Sequence, residues 1–229
     1  MNRESNSYTL IYTTVVVILV AVALAFVSQT LRPQQAKNEA IDKMQQILNS
    51  LRIKADSGNA EAEYEKRIVD SYVVNVKGEK VDGDAFSTEL AEELNKPEAE
   101  RKYPVYEAKI DGKTKYILAM RGVGLWGPIW GFMTLDDDKN TVFGASFGHS
   151  GETPGLGAEI DKPGFGKEFI GKKFFNSDGK FVSIAIVKPG KTVQGQDYVD
   201  GISGGTITSQ GVDAMLLNSI GVYIEFLKK

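Results

Sequence analysis

The sequence predicts an α+β protein: a single N-terminal transmembrane helix, then an antiparallel sheet flanked by helices. Three observations predict that class. Residues 5–31 carry no charge, and a span of a hydrocarbon core needs about 20 apolar residues. Segments between 68 and 149 alternate at the two-residue period of strands and are joined by turn-forming residues. Near the C-terminus Val212, Met215, Leu216, Ile220, Tyr223 and Leu227 return to the 3.6-residue period of an amphipathic helix.

Residues 15–27 (VVVILVAVALAFV) are uninterrupted hydrocarbon-like sequence, preceded by the interfacial Tyr8 and Tyr12. A cleaved signal peptide would end in a small-x-small site, which the residues after Phe26 do not offer. A soluble core helix would carry a polar stripe, and this segment has none. Arg3 and Glu4 lie on one side, Arg32, Lys37, Lys43, Glu39 and Asp42 on the other, so charge does not decide orientation. Pro33 is expected to end the spanning helix, because the residue before a proline is driven toward extended backbone. Residues 36–53 then show a second amphipathic helical pattern. The organisation expected is an anchor over 1–34, an amphipathic helix and connector over 35–66, and one domain over 67–229.

Within that domain 68–76 reads as a strand, and 84–102 as a charged helix followed by a solvated loop. Residues 103–110 and 115–122 form a hairpin about Asp111-Gly112, a dipeptide that favours the left-handed backbone of a tight turn. A second hairpin joins 130–136 to 141–149, and 181–188 is a further strand.

Composition removes several functions. The net charge of −3 gives no basic excess for replacing phosphate counterions, so no nucleic-acid partner is expected. With no cysteine and one histidine, His149, the chain lacks the ligands of a zinc or iron–sulfur site and the parts of a Ser–His–Asp hydrolase. No metal site and no catalytic side chain are assigned, and redox or group-transfer chemistry would need a cofactor.

Three glycine-rich segments are the candidate site. GVGLWGPIWG at 122–131 offers Trp126 and Trp130 as flat apolar faces, either a wall for a planar ring or an aromatic cluster closing the sheet. GHSGETPGLG at 148–157 is an irregular loop whose N–H groups, with Glu152 and Thr153, could surround a heterocycle; it has neither the Lys-Ser/Thr ending of a phosphate loop nor a GxGxxG turn. His149 is given no role. DGISGGTITSQ at 200–210 precedes the C-terminal helix, where Ser203, Thr206, Thr208 and Ser209 are all good helix caps. A helix N-terminus also favours a phosphate, and a hydroxyl there could be esterified to one. Threonine is not intrinsically nucleophilic and only Asp200 stands nearby as a base, so such a link would need a separate enzyme. These residues alone leave capping and attachment both open.

SGGTITS at 203–209 resembles the S-G-A-T-x-T/S flavinylation motif of FMN-binding domains, in which the first threonine takes FMN through a phosphoester. GLWG at 124–127 and GETPGLG at 151–157 look like that domain's other signatures, and LRPQQ at 31–35 with AIDK at 40–43 is similar to the start of the C subunit of sodium-translocating NADH:quinone oxidoreductases. The one departure is Gly205, where the motif usually has alanine. The resemblance implies covalent FMN on Thr206, with Thr208 as the fallback acceptor. Ser203, Gly204, Gly205, Trp126, Glu152, Thr153, Leu156 and Gly157 would surround it, and Lys188 would favour reduced flavin. It further implies a single-pass protein of the bacterial inner membrane with its domain in the periplasm. A flavin transferase would load it, and it would relay electrons between other subunits of the complex while oxidising neither NADH nor quinone itself. The related flavin subunit of Rnf-type complexes shares three of these signatures, and a non-redox anchored assembly module is the alternative of a different class.

Overall fold

The computed structural model describes residues 5–229. The chain divides into two compact units after Lys43. The first consists of most of α1 (Asn6–Ser50), whose apolar window has a mean hydropathy of 2.8 with none of it buried. This is one helix long and apolar enough to cross a membrane. Pro33 does not end it, contrary to the expectation from sequence. Proline forfeits only its own N–H bond and crowds one preceding carbonyl, while the adjoining turns stay bonded. The Thr30 hydroxyl donates back to the Phe26 carbonyl (2.9 Å), and the Gln34 side-chain amide donates to Asn38 (3.0 Å).

The second unit begins with the last turns of α1 and continues through α2 (Ala60–Arg67), β1 (Ile68–Val74), β2 (Lys80–Val81), α3 (Leu90–Glu93), β3 (Tyr103–Ile110), β4 (Lys113–Val123), β5 (Pro128–Leu135) and β6 (Val142–His149). After α4 (Pro163–Lys167) come β7 (Ala185–Val187), β8 (Tyr198–Asp200), α5 (Thr206–Met215) and α6 (Ile224–Leu227). The first six strands form an antiparallel sheet in the order β2-β1-β3-β4-β5-β6, as the hairpin signals required; β7 and β8 pair separately and in parallel. Asp111 and Gly112 both adopt positive φ (50° and 77°), the backbone a two-residue hairpin turn demands.

Helices cover both faces of the sheet. Tyr106, Ile117, Thr134 and Gly144 align across β3 to β6 and therefore share a face. On that face the end of α1 is held by polar bonds: Trp130 Nε1 donates to Gln46 (2.8 Å), Thr134 to Ser50 (2.8 Å), and Ser146 to the Gln46 carbonyl (2.7 Å). The opposite face buries Met120, Val212, Met215, Ile220 and Tyr223 beneath the C-terminal helices. Between α5 and α6 the helix widens to a π-helical stretch, Leu216–Ile220. This brings the Ser219 hydroxyl to β4, where it accepts from the Arg121 N–H (3.0 Å) and donates to the Arg121 carbonyl (2.9 Å). Beyond the start of β3, Ser219 thus satisfies strand groups that have no neighbouring strand.

Two further expectations are revised. Residues 84–102 form only α3 and the short 3-10 turn Glu98–Glu100: Asp84 caps a single turn, accepting the N–H groups of Phe86 and Ser87 (both 3.1 Å), and the backbone then becomes extended at Glu89 (φ −94°, ψ 111°) before α3 begins. The expected strand over 181–188 shrinks to β7. Val182 and Ser183 both donate to the Phe174 carbonyl, and Ser183 turns to φ 64°, which no ladder accommodates.

Candidate functional site

The three glycine-rich segments meet at one end of the domain. The β4–β5 turn is closed by a bond from the Gly124 N–H to the Gly127 carbonyl (2.8 Å), and Trp126 at its tip is 67% exposed. Its main-chain N–H donates to Glu152 Oε1 (2.8 Å). The loop after β6 carries Glu152 inward, where it is buried, and leaves Thr153 and Leu156 exposed. In α5 the Thr208 hydroxyl, 1% exposed, donates to Glu152 Oε2 (2.6 Å). The carboxylate of one segment therefore binds a residue from each of the other two.

Glycine is required where these segments touch. An added Cβ at Gly157 would lie 2.4 Å from both Glu152 Oε2 and Thr208 Oγ1. Gly204 stands at φ 77° with the Leu156 side chain 2.6 Å from where its Cβ would be. The third segment is held from below as well: the Ser209 hydroxyl accepts the Ile202 N–H (2.9 Å), and Asp213 of α5 accepts the Ile186 N–H of β7 (2.7 Å).

Thr206 opens α5 on the exposed side, after Gly205 as N-cap and beside the exposed Ser203. Among the described residues no side chain caps this helix, so its first N–H groups, which have no intrahelical partner, are not taken by a side chain either, which suits an anion. Around it the three segments expose Leu125, Trp126, Leu156 and Ile207, apolar surface of the kind a planar ring covers. The hydroxyl of Thr206 is thus accessible, whereas that of Thr208 is enclosed. Lys188 follows β7, whose last residue Val187 aligns with Asp200. Its side chain is exposed and forms no bond with the Glu152 cluster.

Sequence reasoning gives His149 no part, yet its Nδ1 accepts the Glu152 N–H (3.1 Å), which places the ring proton on Nε2, 3.6 Å from Asp161. No periodicity could have revealed that contact. The domain also contains a cavity of about 410 Å³, but it lies between the end of α1, β6 and α4, lined by Asn49, Arg52, Lys167 and Ile170 among others, and includes none of the expected site residues.

Residues 124–221, which include the second and third segments and all but the first two residues of the first, match the FMN-binding domain family. The C subunit of the Na(+)-translocating NADH-quinone reductase of Parabacteroides distasonis, known from a crystal structure, is 55% identical and superposes with a TM-score of 0.83, covering 87% of this chain and 98% of that one. The corresponding sequence of Haemophilus ducreyi is 34% identical over 93% of this chain and 88% of its own length. That of Neisseria meningitidis is 33% identical over 100% of this chain and 95% of its own. The chain belongs to the family of Na(+)-translocating NADH-quinone reductase C subunits.

Proposed function

We propose that this chain is the electron-transfer subunit of a sodium-translocating NADH:quinone oxidoreductase, carrying FMN as a phosphoester on Thr206. The observation that carries this reading is the division between two threonines of one motif. Thr206 presents its hydroxyl at the open N-terminus of α5, and Thr208 spends its own on Glu152. The residues present fit FMN: unpartnered N–H groups and the Ser203 hydroxyl for a phosphoryl group, and Trp126, Leu125, Leu156 and Ile207 for an isoalloxazine ring. Bound FMN supplies reversible electron uptake and release; the chain's contribution is to fix its place and exclude water from one side.

Among the described residues no base is bonded to Thr206, so attachment is assigned to a flavin transferase acting on FAD. The Thr206 Oγ–phosphorus bond forms, the anhydride bond between the two phosphorus atoms of FAD breaks, AMP leaves, and the threonine proton passes to the transferase. The first unit supports anchorage in a membrane; the proposal adds that this is the bacterial inner membrane with the domain on the periplasmic side, where it would exchange electrons with neighbouring subunits.

Intact mass tests the reading. Protein from a host with the transferase should be heavier than its sequence by one FMN less one water, and the modified peptide should contain Thr206. Unmodified, colourless protein from that host overturns it.

A further inference from the structure

Trp126 is mostly solvent-exposed and sits in a turn flanked by Gly124 and Gly127, the latter at φ 151°. Such a turn is costly to order, and packing of the indole does little to hold it. The turn is closed on itself by the Gly124 N–H to Gly127 carbonyl bond (2.8 Å), and the bond that ties it to the third segment's carboxylate partner runs from the Trp126 N–H to Glu152 Oε1 (2.8 Å). The other carboxylate oxygen takes the Thr208 hydroxyl (2.6 Å), on the first turn of the helix that begins with Thr206. Glu152 is itself held by its N–H bond to His149 Nδ1 (3.1 Å). The backbone is shaped around it: a Cβ at Gly124 would come within 2.5 Å of Oε1, as one at Gly157 would of Oε2 at 2.4 Å.

We propose that Glu152 is the positioning residue of the flavin site. It locks the Trp126 turn onto the first turn of α5, so that the Trp126 face and the Thr206 hydroxyl are presented together when FMN is attached. The inference rests on Thr206 as acceptor, and it assigns Glu152 a place beneath the flavin, acting through two other residues. Geometry separates position from charge. Glutamine at 152 retains both links, its carbonyl accepting from Trp126 and its amide donating to Thr208 Oγ1. Aspartate, one methylene shorter, cannot reach both, and alanine reaches neither, leaving a buried hydroxyl and a backbone N–H unpaired.

The test uses the full chain, with Trp130→Phe throughout so that Trp126 alone emits. Glu152→Gln, Glu152→Asp, Glu152→Ala and Thr208→Val are compared in two measurements: the rate of covalent FMN incorporation by flavin transferase, followed by intact mass, and the fluorescence anisotropy of Trp126 before loading. Glu152→Gln should match the parent in both. The other three should load on the order of tenfold more slowly, with lowered Trp126 anisotropy, while circular dichroism stays that of the folded chain. Should Glu152→Ala not fold, Glu152→Asp and Thr208→Val carry the comparison. Parent-like loading in those variants overturns the proposal. So does slow loading with unchanged Trp126 anisotropy, and so does a Glu152→Gln variant as impaired as the alanine one, which would make charge the cause. If the parent takes no FMN at Thr206, the functional reading fails, and the anisotropy series still decides whether Glu152 orders the turn.

Discussion

The outer and inner sides of the first turn of α5 carry the same chemistry to opposite ends. Thr206 and Thr208 are both threonines of one short motif, and both are good capping residues by type. On the outer side Thr206 faces solvent beside helix N–H groups that no side chain caps. On the inner side Thr208 is 1% exposed and bonded to a buried carboxylate. The helix turns by about 100° per residue, so a two-residue step moves a side chain most of the way across the axis. The difference teaches that a motif is read by its neighbours: the residue left open is available for chemistry, and the one turned inward keeps it in place.

Substitutions can break that contrast in graded ways. Thr206→Ala should abolish covalent flavin altogether, seen as loss of in-gel fluorescence and of the FMN mass increment, with the melting temperature little changed because the side chain is exposed. Flavin retained on the protein would move the acceptor elsewhere. Gly157→Ala drives a methyl into the Glu152–Thr208 bond, and should cost about 1–3 kcal/mol, measured by chemical denaturation. Thr208→Val removes the hydroxyl but keeps the volume and should cost about 1–2 kcal/mol by the same measurement, with Thr208→Ser recovering most of it. The smallest effect is expected for Gly205→Ala, the residue the flavinylation motif usually has. A methyl there would sit 3.1 Å from Ile202 and 3.2 Å from the Gly157 N–H, a misfit of a few tenths of an ångström, and Gly205 has negative φ. Stability should change by less than about 1 kcal/mol, and flavin loading should persist.

The parts of the fold legible in the sequence are those set by local periodicity. The apolar helix, both hairpins and the C-terminal helix follow from alternation, turn dipeptides and the 3.6-residue stripe. The misread parts are those where one contact outvotes propensity. Extended backbone at Glu89 breaks the helix expected over 84–102, Ser183 breaks the strand expected over 181–188, and the helix continues through Pro33. At the site, the motifs name the segments but not the roles within them. They put Glu152 among the residues around the ring, and they do not show that both its oxygens also bond to the other two segments. They give His149 no part, yet it holds the Glu152 main chain.

By itself, then, the sequence determined which segments matter and what class of sheet carries them, because periodicity, turn chemistry and motif spacing are properties of neighbours along the chain. Only the tertiary structure decided that Trp126, Glu152 and Thr208, separated by 26 and 56 positions, share one buried carboxylate, and that Thr206 is left open above it. The reason is physical: a hydrogen bond between distant segments depends on how helices and strands pack, and no local pattern encodes which of two similar hydroxyls will face the interior.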